Sequence, residues 1–294
     1  MDDSELAEIV QPVEHPAGHF YSPIVNTAEV ISRAGDLWPV RPEVLGIDFN
    51  DTSHEIVLTE YFPRHIGKYD YPESVSDEGA PIRFYTGNSQ FSWLDSRALM
   101  VLLCEWQPSR IIEVGSGYSS LLMADVNERF LDRSCDITCV EPYPRPFLRH
   151  PPAGITRLVE QKVQDVPLDL FQTLDAGDIL FIDSSHVAKT GSDVNRLYFD
   201  VLPRLKPGVR VHIHDIFLPN EYPQQWVIEY NRSWNEQYLL RALLMYSFGF
   251  KVVFGCSYAF YRYPELVRRA LALPNGNAFA GGSFWIERLG TGTG

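Results

Sequence analysis

The chain has 294 residues, of which 25 are Lys or Arg and 38 are Asp or Glu, giving a formal net charge of −13 at pH 7. Hydrophobic residues make up 45% and charged residues 21%, which is typical of a globular protein with one large domain or one domain and an appendage. The acidic balance argues against a broad basic surface for nucleic acid, and no apolar run of about 18 residues predicts a membrane span.

The cysteines and the first residues indicate a compartment. Four cysteines are too few for a disulfide scaffold, and we interpret them as buried thiols in a reducing environment. The opening sequence MDDSELAEIVQPVEHP is acidic and has no apolar core, so we do not expect a signal peptide. We therefore predict a cytoplasmic protein with neither a nucleic-acid nor a membrane partner.

Residues 1–90 are rich in proline, tyrosine, histidine and aspartate and show little sustained periodicity. We expect an N-terminal extension there that packs on the rest of the chain. It could be a structural appendage or a cap over a substrate pocket, because loops rich in aromatic residues and histidine suit either role. It could also serve in dimerisation, so a homodimer stays open.

From residue 92 the patterning becomes regular. Ser92 with Asp95 three residues later resembles a capping box, and a helical apolar spacing follows it. Ser233 and Glu236 form a second candidate capping box, which would open a helix that runs to about Tyr246. These two positions therefore predict the beginnings of two helices.

Short apolar runs predict the strands of this region. They lie at residues 110–114, 137–140, 155–163, 178–182, 209–213, 250–254 and 283–286. Strands that alternate with helices predict a doubly wound α/β sheet, here over residues 91–289. We expect the glycine-rich residues 290–294 to form a flexible tail.

A glycine loop, EVGSGYSS at residues 113–120, follows the first predicted strand. Gly115 and Gly117 permit a tight turn and the close approach of a ligand to the backbone. The next helix offers free N–H groups to an anionic group. A nicotinamide fingerprint would have a third glycine near position 120, where this chain has Ser120, so the loop alone is weak evidence.

The second predicted strand ends at Glu141, 24 residues beyond Gly117. A carboxylate at this point is suited to accept hydrogen bonds from both ribose hydroxyls of an adenosine group. The alternative is that Glu141 is only a solvated strand end. The loop and the acid together favour a cofactor that contains a nucleoside.

With these residues in place, the chain resembles the class I S-adenosylmethionine-dependent methyltransferases, and among them a methyltransferase-24-like bacterial subgroup. The resemblance rests on the loop and on Glu141, and on the segments FIDSSHVAKTGSDVN and VHIHDIFLP. It covers roughly residues 92–288. It implies a Rossmann-like sheet of seven mostly parallel strands with an antiparallel last strand, and S-adenosyl-L-methionine as the cofactor.

The resemblance also implies roles for single residues. The glycines of the loop would contact the methionine end of the cofactor, Glu113 would lie near its amino group, and Glu141 would hold the ribose. Gln164 and Asp165 would approach the adenine, and the serines of the loop would add hydroxyl contacts or merely cap the helix. The candidates for cofactor binding are Glu113, Gly115, Ser116, Gly117, Ser119, Ser120, Glu141, Gln164, Asp165 and Asp183.

Polar side chains follow the fourth and fifth predicted strands. Asp183 and His186 come after the fourth strand, and His214 and Asp215 after the fifth. Ligands of open α/β sheets bind at the carboxyl ends of strands, so we predict that these four residues converge and are catalytic. We take His212 to point to the face opposite His214 and to pack in the scaffold, and we favour His214 as the functional histidine.

Three interpretations of this cluster stay open. Asp183, His214 and Asp215 could hold a divalent metal (Mg, Mn or Fe), which would lower the pKa of an acceptor oxygen. His186 or His214 could instead be a general base that needs no metal. The polar groups could also be structural hydrogen-bonding residues, since the spacing is not diagnostic.

Taken together, these features predict an S-adenosylmethionine-dependent methyltransferase that acts on a hydroxyl of a small molecule, with the acceptor activated by a metal or a histidine base. One alternative is an iron-dependent oxidoreductase or hydroxylase-like enzyme on the same fold. Another is a non-catalytic cofactor-binding protein. The sequence does not identify the acceptor.

Overall fold

The computed structural model describes residues 12–43, 45–74, 83–271 and 281–290. In chain order, the helices of these residues are α1 Thr27–Ser32, α2 Ala34–Leu37, α3 Asp51–Ile56, α4 Phe62–His65, α5 Trp93–Trp106, α6 Tyr118–Phe130, α7 Pro146–Arg149, α8 Leu168–Gln172, α9 Asp193–Asn195, α10 Gln224–Ile228, α11 Glu236–Leu244, α12 Cys256–Arg262 and α13 Pro264–Leu271. Shorter turns are π-helical at Val57–Tyr61 and Arg196–Val201, and 3₁₀ at Ile66–Lys68, Val163–Asp165 and Leu202–Arg204. None of the described helices is both long and apolar enough to cross a membrane.

The strands form one sheet in the order β3-β2-β1-β4-β5-β7-β6. They are β1 Arg110–Val114, β2 Asp136–Val140, β3 Arg157–Val159, β4 Ile179–Ile182, β5 Arg210–Ile213, β6 Phe250–Gly255 and β7 Phe284–Arg288. The five strands β1 to β5 are parallel to one another. Strand β7 lies between β5 and β6 and is antiparallel to both. The predicted Rossmann-like fold, with its antiparallel last strand, is confirmed.

The central strands are continuous apolar runs because both faces of the sheet are covered. On β4, Ile179 and Phe181 pack in one hydrophobic cluster with residues of α5 and α6. Leu180 and Ile182 alternate with them and pack in a second cluster on the other face, which includes Leu197. The polar residues that follow these strands therefore emerge together at the carboxyl edge of a rigid sheet.

Neither predicted capping box is present in the structure. The Ser92 side chain makes no capping hydrogen bond, and the second helix begins at Glu236, after Asn235. Ser233 accepts a hydrogen bond from the backbone N–H of Val25 instead, at 3.2 Å. Helices do begin close to both predicted positions. The acidic residues of both boxes have other partners, which are described below.

The chain divides into two compact units. The smaller comprises the residues up to Pro42 together with Glu221–Ser233, and it contains α1, α2 and α10. The larger comprises Glu43–Asn220 and Trp234–Gly294, and it contains the sheet. The units thus divide inside the predicted extension 1–90, whose role as a cap stays a prediction. In the predicted tail, residues 291–294 lie outside the described residues.

Part of the predicted extension packs on the edge of the sheet within the larger unit. The Asn50 side-chain amide donates to the carbonyl of Val252 (2.8 Å), and the Ser53 hydroxyl donates to that of Val253 (2.7 Å). The buried His54 accepts from the backbone N–H of Gly255 at 2.9 Å. These bonds occupy backbone groups of the edge strand β6 that would otherwise be free to pair with another strand.

Candidate active site

The glycine loop passes directly against the end of β4. Gly115 has a φ of +82°, and a Cβ atom added there would lie 1.7 Å from the carbonyl oxygen of Asp183. Its own N–H donates to the carbonyl of Val140 at 3.0 Å. Only glycine satisfies both the positive φ and this contact, so the loop is held between β2 and β4.

Glu113 is buried beneath the loop. Its carboxylate accepts hydrogen bonds from the hydroxyls of Ser119 (2.6 Å) and Ser120 (2.5 Å) and from the thiol of Cys139 (3.3 Å). Burial raises the pKa of Glu113 to about 7, although these donors act in the opposite direction. Both oxygens have partners within the chain, and the contact expected with the amino group of the cofactor stays a prediction.

The serines of the loop have structural partners in this arrangement. Ser120 accepts from the N–H of Gly117 at 2.9 Å while it donates to Glu113, so it links the start of α6 to the buried acid. The hydroxyl of Ser116 is buried and has no hydrogen-bond partner among the described residues. None of the three serines lines the cavity described below, so the hydroxyl contacts with a cofactor stay predictions.

Glu141 is tied to the loop rather than left as a free strand end. One oxygen accepts from the N–H of Ser116 at 3.0 Å, and the other accepts from the N–H of Tyr143 at 2.8 Å. A carboxylate has about four lone-pair positions, so each oxygen keeps capacity for a further donor.

A cavity of about 420 Å³ lies at the carboxyl ends of β1 to β4. It is lined by Val114, Gly115, Val140, Glu141, Pro142, Tyr143, Lys162, Val163, Gln164, Asp183, Ser184, Ser185, Lys189, Gly191, Ser192 and Asp193. Its volume is in the usual range for small-molecule sites, about 300–1,000 Å³, and its place matches that of ligands in open α/β folds.

The segment after β3 differs in part from the prediction. Gln164 lines the cavity, and its side-chain amide donates to the carbonyl of Gly191 at 3.0 Å. Asp165, predicted to approach the adenine, is exposed and does not line the cavity, whereas Lys162 and Val163 do. The strand predicted over residues 155–163 is only Arg157–Val159, so the lining residues Lys162 and Val163 lie in the segment after β3 and not within it.

The structure brings the four predicted catalytic residues together at the ends of β4 and β5. The Nε2 atom of His186 lies 3.5 Å from a carboxylate oxygen of Asp183 and 3.5 Å from one of Asp215. The Nδ1 atom of His214 lies 3.6 Å from the same Asp183 oxygen and 3.4 Å from the other Asp215 oxygen. Each aspartate thus lies between the two imidazole rings.

Two buried carboxylates that were not predicted as site residues lie behind the histidines. The Nδ1 atom of His186 is 2.9 Å from an oxygen of Glu236. The Nε2 atom of His214 is 3.6 Å from an oxygen of Asp95, whose carboxylate also accepts from the N–H groups of Gly282 and Ser283. Asp95 and Glu236 are the acidic members of the two predicted capping boxes.

The charged groups of this cluster shift one another's pKa values. Burial alone would lower the pKa of His186, but Asp183 and Glu236 outweigh it and raise that pKa to about 10. Burial likewise opposes the charge of His214, and Asp215 and Asp183 raise its pKa above the usual range. Burial would raise the pKa of Asp183, yet His214 and His186 hold it well below its ordinary value. The neighbouring carboxylates therefore favour the charged form of both rings.

His212 and His214 do not point to opposite faces, and that expectation is wrong. Residues i and i+2 of a strand share a face, and the two ring centroids are 5.8 Å apart. Depth separates them instead: His212 stacks on Phe181 at 3.7 Å and bonds to Ser283 at 3.0 Å. Burial holds the pKa of His212 well below its ordinary value, which fits the scaffold role predicted for it.

One set of side chains in the described residues has the donors for a metal ion. A ligand atom from each of Asp183, His186 and Asp215 lies within 4.8 Å of the other two. The predicted set contained His214 in place of His186. His186 and Asp215 have φ values of +61° and +56°, and such backbone strain in non-glycine residues is concentrated at functional sites.

Comparison with known proteins gives a family. A family model described as a methyltransferase domain matches residues 112–216. An uncharacterised protein of Archaeoglobus fulgidus is 39% identical over 180 residues, which cover 59% of this chain and 77% of that protein.

The solved structures that are similar to this chain are distant from it. The O-methyltransferase TomG of Streptomyces achromogenes, in complex with S-adenosylmethionine, is 16% identical over 82% of this chain and 97% of that chain, with a TM-score of 0.39. An O-methyltransferase of Bacillus cereus, in complex with S-adenosylhomocysteine, is 12% identical over 82% of this chain and 98% of that chain, with a TM-score of 0.37. These are distant likenesses, and no property of either enzyme is carried over to this chain.

Proposed function

This chain belongs to the class I S-adenosylmethionine-dependent methyltransferase family, and from that premise we propose that it methylates a hydroxyl oxygen of a small molecule. One observation carries the proposal: Asp183 lines the cavity and also lies beside both histidines of the charged cluster. The proposed cofactor site and the proposed reaction site therefore share one carboxylate. When bound, S-adenosylmethionine supplies an electrophilic methyl group.

The residues of the cavity fit the cofactor. Glu141 accepts one backbone N–H at each oxygen and has lone pairs left for two ribose hydroxyls. Gly115 lines the cavity, and its positive φ and its contact with the carbonyl of Asp183 keep the loop against the end of β4. The hydroxyl of Ser184, which lines the cavity, is buried without a hydrogen-bond partner among the described residues, and a bound ligand would satisfy it.

We propose that a divalent cation (Mg, Mn or Fe) is held by Asp183, His186 and Asp215. The argument is electrostatic: four carboxylates face two imidazoles in this cluster, and burial raises the pKa of Asp215 and of Glu236 because it disfavours their charged forms. Buried charge without compensation is costly, and a divalent cation offsets it. When bound, the cation supplies positive charge that lowers the pKa of an acceptor hydroxyl.

A metal-free histidine base is the weaker alternative. A general base accepts a proton, whereas the neighbouring carboxylates raise the pKa of both His186 and His214 and so favour their protonated forms. Proton acceptance by either ring would first require that ring to lose a proton. A cation held by Asp183, His186 and Asp215 would instead lower the pKa of the acceptor hydroxyl itself, so neither ring would have to act as its base.

Calorimetric titration of metal-stripped protein with S-adenosylmethionine and S-adenosylhomocysteine, repeated with Mg²⁺, Mn²⁺ and Fe²⁺, tests the proposal. We expect micromolar binding of both cofactor forms. In a turnover assay with hydroxylated acceptors, Asp215→Ala should abolish methyl transfer while cofactor affinity stays within about twofold, because Asp215 does not line the cavity. Absence of binding of either form under every condition would contradict the cofactor assignment.

Product assays and cofactor titrations with the same protein distinguish two rival functions. Asp and His donors also suit Fe²⁺, so an iron-dependent hydroxylase-like enzyme predicts oxygen-dependent, iron-stimulated product without methyl transfer. A non-catalytic cofactor-binding protein predicts cofactor affinity that does not respond to changes at the cluster, and no product with any acceptor. The proposed partner is a small-molecule acceptor in the cytoplasm, without nucleic acid or membrane, and with a homodimer as the proposed assembly.

A further inference from the structure

The backbone of His186 is held by the residues that begin helix α11. Its carbonyl oxygen accepts from the N–H groups of Asn235 (3.0 Å) and Glu236 (3.2 Å). The side chain of Asn235 accepts from the N–H of Ala188 at 2.6 Å and donates to the carbonyl of Ala188 at 3.3 Å. These four hydrogen bonds stabilise the left-handed backbone conformation of His186, which a non-glycine residue rarely adopts.

The imidazole ring of His186 is held by the same segment. Its Nδ1 atom is 2.9 Å from Glu236, whose side chain is fully buried. The ring of Trp234 packs against it, with 4.4 Å between the centroids. An ionised carboxylate only accepts hydrogen bonds, so this contact requires a proton on Nδ1 and turns Nε2 toward Asp183 and Asp215.

His214 has no equivalent partner. Its distance of 3.6 Å to Asp95 exceeds that of a hydrogen bond, and its Nε2 has no hydrogen-bond partner among the described residues. The Asp95 carboxylate is instead engaged by the backbone N–H groups of Gly282 and Ser283. The second oxygen of Glu236, by contrast, has no partner among the described residues. Glu236 therefore contacts a histidine ring directly, whereas Asp95 binds the backbone before strand β7.

We propose that Glu236 is a positioning residue for His186. It keeps a proton on Nδ1, so that Nε2 is the nitrogen presented to Asp183 and Asp215, and it makes His186 rather than His214 the imidazole of that group. The use of this nitrogen as a metal ligand rests on the proposed function, whereas the orientation of the ring does not. Carboxylates that orient metal-binding histidines act in this way.

The orientation is tested by NMR of protein with ¹⁵N-labelled histidine at pH 8, using long-range ring correlations assigned with His186→Asn. In the wild type we expect the Nδ1 proton of His186 to be present and slow to exchange. In Glu236→Gln it should exchange with solvent, and a form protonated only on Nε2 should appear. Asp95→Asn is the matched control, since it alters a buried acid beside the other histidine and should leave the His186 signals unchanged.

A wild-type ring with a bare Nδ1, or identical His186 signals in the wild type and Glu236→Gln, would overturn the proposal. Glu236→Asp serves if Glu236→Gln does not fold. It keeps the charge but is one methylene too short for the 2.9 Å contact, and it should give the same loss of the protected proton.

Metal affinity gives the second measurement. Titration of metal-stripped protein with Mn²⁺, followed by electron paramagnetic resonance, should show about 10- to 100-fold weaker binding in Glu236→Gln and less than about 3-fold in Asp95→Asn. Equal losses in both variants would contradict a specific role of Glu236. If the wild type binds no Mn²⁺, the metal part of the proposed function is wrong, and the NMR result still decides the orientation of His186.

Discussion

Replacement of Glu113 by glutamine should stabilise the protein at alkaline pH. The carboxyl is fully buried, and its pKa is about 7 in the folded chain against 4.5 for an ordinary glutamate. At about 1.36 kcal/mol for each pH unit of difference, ionisation of Glu113 costs about 3.4 kcal/mol of folding free energy. Because the folded-state pKa is raised, stability from this group is fully present below pH 4.5 and is lost as the pH rises through about 7.

Glu113→Gln keeps the shape of the side chain and removes the ionisation. Urea unfolding of both proteins at pH 5 and pH 8 should show the stability difference between variant and wild type growing by about 2.5 kcal/mol over that interval, which is the part of the linkage that falls there. Glu160→Gln is the control, because this exposed carboxylate should change stability little at either pH. A difference between Glu113→Gln and wild type that is the same at both pH values would refute the reasoning.

Three further outcomes are expected. Gly115→Ala should lose more stability in thermal unfolding than Gly177→Ala; both pay for a positive φ, about 1–2 kcal/mol, but only the first Cβ meets a backbone carbonyl, so equal losses would argue against that contact. Burial lowers the pKa of His54 to about 4. The neutral ring therefore contributes about 3.4 kcal/mol to the free energy of unfolding above pH 6.5, and this contribution is lost as the pH falls through 4. In unfolding titrations, His54→Gln should weaken the loss of stability between pH 6.5 and pH 4. Glu141→Gln should weaken S-adenosylhomocysteine binding about tenfold in calorimetry, while the exposed Asp165→Asn should not, and a reversal of these two results would place the ribose contact elsewhere.

The fold could be predicted because its signals are local. The strands β1 and β4 are continuous apolar runs, buried on both faces, and their order along the chain alternates with helices. The position of Asp183 and Asp215 followed from the rule that ligands bind at the carboxyl ends of parallel strands. That rule concerns the sheet as a whole, so it located the cluster without any knowledge of side-chain contacts.

The two missed carboxylates show where local patterns stop. Asp95 and Glu236 each follow a serine by three residues, which is the spacing of a capping box, and both were assigned to helix starts for that reason. Glu236 contacts His186, and Asp95 accepts from the backbone N–H groups of Gly282 and Ser283, all far away in sequence. The same spacing of a serine and an acid occurs in both cases. The acid can cap its own helix, or its side chain can contact another element, and the spacing does not distinguish the two.

The choice between His186 and His214 as the functional histidine stays a prediction, and the same limit of local patterns applies to it. Sequence alone favoured His214 because it adjoins Asp215, yet adjacency on a strand does not decide which ring nitrogen faces a neighbour. The ring of His186 is oriented by a residue 50 positions away, in a helix that follows β5. Such an orientation depends on how two distant segments pack, which no spacing rule records.

The contact between Gly115 and Asp183 changes how mutagenesis of this protein should be interpreted. A glycine beside a presumed cofactor site is normally scored as a binding residue when its substitution abolishes activity. Here any larger residue would also push on the backbone carbonyl of Asp183. The side-chain carboxylate of that same residue is the one shared by the cavity and the cluster. In a saturation library, loss at position 115 would thus report three defects at once, in stability, cofactor affinity and the geometry of the acidic residues. Variants at Glu141 avoid the clash with Asp183, and their structural effect is confined to the two hydrogen bonds that this carboxylate accepts from the N–H groups of Ser116 and Tyr143.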